Sequence, residues 1–93
     1  MDNFKTHYMY KINISESALK QLHRLQKQVV KKIDAAIIKL GKNPRPSGVK
    51  KMKGVSEDLY RIRIGDYRVI YSIEDVIKLV DVRQVGHRKD IYR

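Results

Sequence analysis

The spacing of hydrophobic residues in the first half of the chain changes near residue 15. Residues 8–14 alternate and are rich in aromatic and branched side chains, which predicts a strand. From residue 15 to 40 the apolar positions recur at steps of three and four, as on one face of a helix. Ser15 is a candidate N-cap and Gly41 a candidate C-terminal stop. A single helix would measure about 39 Å, longer than a domain of this size, so we expect a break near residues 25–28 and a helical hairpin.

After a loop dense in proline and glycine at residues 43–48, the hydrophobic period becomes two. Residues 59–64, 67–73 and 77–85 each alternate, and turns at 65–66 and 74–75 would join them as an antiparallel meander. The order of strand, helical hairpin and three strands predicts an α+β fold, with one domain over residues 1–93. We expect the helices on one face of a largely antiparallel sheet and arginines on the other.

The charge of the chain adds a candidate partner. The 93 residues include 21 Lys and Arg against 10 Asp and Glu, a formal charge of +11, which points to a polyanion. The chain has no cysteine, no apolar run long enough for a membrane span and no secretion signal behind its first residues. We therefore expect a cytoplasmic protein with no membrane partner.

Arginines are concentrated in the last third of the sequence. Arg61 and Arg63 are two apart on a predicted strand and so share one face, about 6.6 Å apart along the chain. The next strand brings Arg68, and the last one brings Arg83 and Arg88. A single exposed arginine is more often merely solvated, but five forked side chains in one region favour a site for phosphate.

The C-terminal tail adds groups that can move protons or stack on a base. His87 is the one histidine set among arginines, and Tyr92 follows it. Each residue also has an interpretation without function: His87 as an incidental surface histidine, and Tyr92 as a tyrosine that caps the core. The sequence has no metal-ligand spacing, glycine-rich phosphate loop or serine elbow, so we expect no metal and no cofactor. Arginines with a tyrosine and a histidine fit RNA cleavage by its own 2′-OH.

The segment from Leu59 through Gly65-Asp66-Tyr67-Arg68 to Tyr71, followed by Val82 to Arg88 and Asp90-Ile91-Tyr92, closely resembles the RelE branch of the RelE/ParE toxin superfamily. The approach Lys51-Met52-Lys53-Gly54 and the first strand and helical hairpin are similar as well. The resemblance covers essentially the whole chain. It implies the toxin of a type II toxin–antitoxin system, a metal-free endoribonuclease that enters the ribosomal A site, cuts mRNA there and inhibits translation.

The resemblance also implies roles for single residues. Arg68 would stabilise the transition-state phosphate, and Arg88 would contact that phosphate or the leaving oxygen. Arg61 and Arg63 stand where well-studied members carry lysines that orient the mRNA and help activate the 2′-OH, and Tyr92 would stack on the cleaved nucleotide. Arginine deprotonates far less readily than lysine, so either His87 shares the role of base or the attack relies on positioning. Four further basic residues are expected to bind RNA: Lys51, Lys53, Arg83 and Lys89.

Two other functions remain open from the sequence. ParE-like members of the superfamily poison DNA gyrase, and a basic domain can bind nucleic acid without chemistry. The toxin interpretation also predicts partners besides the ribosome and mRNA: an acidic cognate antitoxin that covers the basic surface, and operator DNA for the toxin–antitoxin complex.

Overall fold

The computed structural model describes residues 9–53 and 57–91. Its strands are β1 (Lys11–Ile14), β2 (Lys50–Lys51), β3 (Leu59–Ile64), β4 (Tyr67–Glu74) and β5 (Leu79–His87). Its helices are α1 (Glu16–His23), α2 (Lys27–Lys42) and the single turn α3 (Arg88–Ile91). The five strands form one sheet in the order β1-β5-β4-β3-β2, in which β1 runs parallel to β5 and all other pairs are antiparallel. The predicted α+β fold is confirmed.

The core lies between the helical hairpin and one face of the sheet, which we call the helix face. Fully or nearly fully buried residues of the helices, such as Ile33 and Leu40, pack against buried sheet residues such as Val69, Val80 and Val82. The opposite side of the sheet is called the open face. No helix in the described parts of the chain is long and apolar enough to cross a membrane.

The predicted helical hairpin is present, with its break at residues 24–26, slightly earlier than expected. Ser15 caps α1, because its hydroxyl accepts a hydrogen bond from the Ala18 N–H at 3.1 Å. The helix ends where the Arg24 and Leu25 N–H groups bond to carbonyls three residues back, which tightens the last turn.

The expectation that Gly41 stops the second helix is wrong, because α2 continues to Lys42. Gly41 is buried inside the helix, where its carbonyl accepts a 2.7 Å hydrogen bond from the Tyr10 N–H. A Cβ at this position would lie 3.2 Å from the Tyr10 carbonyl oxygen. The glycine therefore serves a close approach of α2 to the chain that leads into β1.

Strand boundaries differ from the predicted ones at several points, and β4 and β5 run to Glu74 and His87, one and two residues beyond their predicted ends. The described part of the first strand begins at Lys11, and Tyr8 lies outside the described residues. The two-residue strand β2 has no hydrophobic alternation and was not predicted. The last strand starts at Leu79, two residues later than predicted, since residues 75–78 form a turn in which Lys78 has a φ of 56°.

The loop at residues 43–48 is held against the turn between β4 and β5 by an ion pair. Arg45 donates two hydrogen bonds to the Asp75 carboxylate, at 3.2 and 3.0 Å, and the Tyr10 hydroxyl donates a third at 2.6 Å. The Arg45 bonds, followed by the Tyr10 bond, lower the pKa of Asp75 to about 2, and the Asp75 carboxylate raises the pKa of Tyr10.

We expect Asp75→Asn to flatten the acid side of the stability curve. The pKa of Asp75 is lower in the folded chain than its ordinary value of 3.8. Such a carboxyl group stabilises the fold at pH values above that ordinary pKa. That contribution is lost as the pH falls from 3.8 towards 2. Urea unfolding between pH 2 and 6 should therefore show a smaller loss of stability for the variant than for the wild type. Parallel curves would contradict the assignment.

Candidate phosphate-binding site

A β-bulge in β5 decides which side chains reach the open face. Ile70 pairs with Gln84 and Tyr71 pairs with Val82, so Arg83 is the extra residue. The shift keeps Val80, Val82 and Val85 all in the core, although Val85 breaks the strict alternation of the first two. Beyond the bulge, Gly86 lies on the open face and His87 on the helix face.

The sheet brings Arg61, Arg63 and Arg68 to the open face. Arg63 lies directly opposite Arg68 across the β3–β4 ladder, and Arg61 lies opposite Ile70. Side chains of directly opposed residues share a face, so the three guanidinium groups belong to one surface. Arg63 is exposed and Arg61 is half-buried.

Arg68 differs from its neighbours because it is 7% exposed. Its Nη1 donates to the Tyr67 carbonyl at 3.2 Å and, at 3.5 Å, to the Gly65 carbonyl. Its Nε is buried without a partner, and no carboxylate in the described parts of the chain forms an ion pair with it. A buried charge is normally paired, so this guanidinium is held in place without the anion that would balance it.

Two neighbours define the surroundings of Arg68. Its opposite neighbour on β5 is Gly86, which carries no side chain. The Arg88 N–H donates a 2.8 Å hydrogen bond to the Asp66 carbonyl, so α3 starts beside the β3–β4 turn that Arg68 also contacts. The structure thus brings Arg88, which is exposed, to the end of the sheet where Arg68 lies.

Arg83 reaches the open face, but its charge is already balanced. It donates two hydrogen bonds to the Glu57 carboxylate at 2.8 and 2.9 Å, one to Asp81 at 2.9 Å and one to the Ser72 hydroxyl at 3.2 Å. The bonds with Glu57 raise the pKa of Arg83 and lower that of Glu57. These bonds favour a role for Arg83 in anchoring Glu57 on the sheet, which no pattern in the sequence indicates.

Of the other residues predicted to bind RNA, Lys51 lies opposite Tyr60 and therefore on the helix face. Lys51 forms an exposed ion pair with Asp58 at 3.4 Å, and the Lys53 and Lys89 side chains are exposed. Tyr92, predicted to stack on a base, lies outside the described residues. Within the described ranges, no group of three or more His, Asp and Glu is arranged to hold a metal ion.

His87 is not brought together with the arginines. It lies on the helix face, opposite Tyr67 in the ladder, and its ring meets the Tyr67 ring edge-on with centroids 5.4 Å apart. Its Nδ1 accepts a hydrogen bond from the Lys89 N–H at 3.2 Å. This placement favours a role in fixing the start of α3.

We expect His87→Gln to change RNA cleavage by less than about threefold, because general-base catalysis is worth roughly 10²–10⁴-fold and this ring faces away from the arginines. Single-turnover cleavage rates from pH 5.5 to 8.5 would measure the effect. A hundredfold loss together with a flattened pH profile would instead identify His87 as the base.

Comparison with known proteins shows where this arrangement belongs. Residues 12–92 match the family described as ParE toxin of type II toxin-antitoxin system, parDE. The chain is 31% identical over 87 residues to the protein RelE1 of Methanocaldococcus jannaschii, covering 90% of this chain and 96% of that protein. It is 34% identical over 89 residues to the toxin RelE of Mycobacterium tuberculosis, covering 90% and 87%.

A solved structure agrees with these relatives. The archaeal RelE–RelB complex from Pyrococcus horikoshii OT3 contains a chain that matches this one with a TM-score of 0.76 and 31% identity, covering 88% of this chain and 98% of that chain. The chain belongs to the RelE/ParE superfamily of toxins from type II toxin–antitoxin systems.

Proposed function

We propose that this toxin is a ribosome-dependent endoribonuclease that cuts mRNA in the A site and so inhibits translation. The observation that carries the proposal is the buried Arg68 guanidinium, which has no carboxylate partner among the described residues and lies opposite Arg63. A preorganised cation without a counter-ion is suited to charge that develops in a transition state. The similarity to RelE toxins supports the same function.

The proposed reaction is cleavage of the RNA strand by its own 2′-OH. The 2′-oxygen attacks the adjacent phosphorus, and a 2′,3′-cyclic phosphate forms as the bond to the 5′-oxygen breaks. The 2′-OH loses its proton to solvent, and the leaving 5′-oxygen takes up a proton and becomes a hydroxyl. Arg68 would balance the added negative charge on phosphorus, Arg61 and Arg63 would orient the strand, and Arg88 would act near the leaving oxygen. Tyr92 is proposed to stack on the nucleotide, as the family resemblance implies.

Dependence on the ribosome follows from the weakness of any base in this site. Arginine stays protonated at physiological pH, so the attack must rely on holding the 2′-OH in line with the leaving oxygen. The ribosome would supply that alignment, and we place the protein's action in the cytoplasm for this reason.

Mapping of mRNA 5′ ends on purified, programmed ribosomes tests the proposal. We expect a cut within the A-site codon that leaves a 5′-hydroxyl product, and far slower cutting of the same mRNA without ribosomes. Equal cutting of naked RNA would overturn the dependence on the ribosome, and intact mRNA under both conditions would overturn the nuclease.

A gyrase inhibitor is the second candidate, since the matched family is described by its ParE toxins. Induced cells distinguish the two targets. A translation block with cleaved mRNA supports the nuclease, whereas filamentation with a DNA-damage response and intact mRNA supports gyrase.

We further propose that an acidic cognate antitoxin neutralises the toxin and that their complex binds operator DNA. The Pyrococcus horikoshii relative was crystallised as a RelE–RelB complex, and opposite charge favours rapid association. Co-purification from a two-gene operon should recover a complex that no longer cuts mRNA. Recovery of active, uncomplexed toxin would count against this partner.

A further inference from the structure

A groove opens beside the arginines at the outer edge of β3. It has a volume of about 470 Å³ and lies between α2, the loop at residues 46–48 and the sheet edge. Its basic lining residues are Lys39, Lys50 and Arg63, and its lining includes no acidic residue. We call it the edge groove.

Ion pairing divides the basic residues near the sheet into two groups. Arg45, Arg83 and Lys51 each have a carboxylate of the same chain within 4 Å. Lys39, Lys50 and Arg63 form no ion pair with any residue that the structure describes. The charges of the edge groove are therefore available to an external anion.

The groove is continuous with the site at Arg68. The Met52 N–H bonds to the Leu59 carbonyl, so odd-numbered residues of β3 direct their backbone groups towards β2. Arg63 and Arg68 are then a non-hydrogen-bonded pair, with Cα atoms about 4.5 Å apart. Arg63 thus borders both the groove and the buried guanidinium.

The edge of β3 adds a backbone donor to the groove. β2 begins at Lys50, opposite Arg61, so it does not extend as far as Arg63. The same alternation directs the Arg63 N–H to this uncovered edge. A backbone N–H among three cationic lining residues is a combination that suits a phosphodiester oxygen.

We propose that the edge groove binds a second phosphodiester of the RNA strand whose neighbouring phosphate lies at Arg68. The strand would pass from the open face, over Arg63, to Lys39 and Lys50. The inference rests on the proposed function for the choice of RNA as the bound strand. It does not require cleavage, because the groove would also bind an RNA that is not cut.

Binding of uncleavable RNA tests this inference without requiring cleavage. The probes are fluorescent 2′-O-methyl oligouridines of two to six nucleotides, titrated with the isolated toxin at several salt concentrations. The wild type should bind the longer probes more tightly, whereas the Lys39→Gln/Lys50→Gln variant should lose most of that gain. The slope of log affinity against log salt should fall by about 0.7 for each phosphate contact that is lost.

The matched control is Lys11→Gln/Lys42→Gln, which also removes one lysine from an edge strand and one from the last turn of α2. It changes the net charge equally and should retain the length dependence. Equal behaviour of the two double variants would overturn the proposal. Loss of polyglutamate binding with unchanged oligouridine binding would also overturn it, by assigning the groove to an acidic protein segment.

Ribosome cleavage separates this inference from the proposed function. If wild-type toxin binds the oligouridines with length dependence but cuts no mRNA on ribosomes, the nuclease fails and the groove stands. If mRNA is cut and the groove variant binds and cuts as the control does, the groove fails and the nuclease stands.

Discussion

Arg68→Met is expected to lower mRNA cleavage on ribosomes by about 10²–10³-fold, the usual cost of removing one preorganised donor to a transition-state oxyanion. The same substitution should leave the free energy of unfolding unchanged or higher. The wild-type guanidinium is 7% exposed, has a buried Nε without a partner and has no carboxylate beside it within the described ranges. Replacing such a buried charge by an unbranched apolar side chain is often neutral or stabilising.

Arg68→Lys provides the control for charge. It keeps the net charge of the toxin, and hence its general attraction to the ribosome, but removes the planar fork that can hold two phosphate oxygens. We expect most of the loss of cleavage to remain in this variant. The measurements are single-turnover cleavage and urea unfolding. A variant that unfolds more readily yet cuts at the wild-type rate would show that Arg68 is structural.

Tyr71→Ala is expected to destabilise the fold by roughly 3–5 kcal/mol, the usual cost of removing a buried aromatic ring. Tyr71 is fully buried, and its ring stacks on that of Tyr60 with centroids 5.9 Å apart. Its hydroxyl donates a 2.6 Å hydrogen bond to the Pro44 carbonyl in the loop after α2, and burial raises the pKa of that hydroxyl. The substitution removes both the ring and this anchor of the loop.

Tyr71→Phe separates the two contributions. It keeps the ring but leaves the buried Pro44 carbonyl without its donor, which should cost about 1–3 kcal/mol. Tyr67→Phe is the matched control, since the described residues offer no hydrogen bond to its hydroxyl, and it should change stability by less than about 0.5 kcal/mol. Urea unfolding measures all three. Equal stabilities for Tyr71→Phe and Tyr67→Phe would contradict the role of the Pro44 bond.

The helical hairpin and the meander could be predicted because their hydrophobic periods of 3.6 and two reflect burial on one side. The failures arise where a contact with another segment of the chain decides the local structure. The pattern predicts a helix stop at Gly41, whereas the lack of a Cβ there serves a contact with Tyr10, which lies 31 residues away in sequence. β2 was missed because a two-residue edge strand is defined by its pairing with β3, and its two lysines carry no pattern.

The sequence indicates which residues belong to the candidate site more fully than how they are arranged. Strict alternation along β5 would place His87 on the same face as Asp81 and Arg83. The bulge at Arg83 moves it to the helix face instead, because one extra residue reverses every side chain that follows. No sequence pattern connects Lys39 with Lys50, since the two residues line one groove only after α2 packs beside the edge of β3.

By itself, the sequence determined the order of the elements, the basic character of the protein and its membership of the toxin family, because periodicity, charge and short motifs are properties of neighbouring residues. Only the tertiary structure decided which of the basic side chains are available to an external anion. Carboxylates form ion pairs with Arg45, Arg83 and Lys51, and those of Arg45 and Arg83 include partners from distant parts of the chain. Arg68 is buried without a carboxylate partner among the described residues. Whether a charge is balanced depends on what folding brings within about 4 Å of it, where the Coulomb energy is large enough to matter.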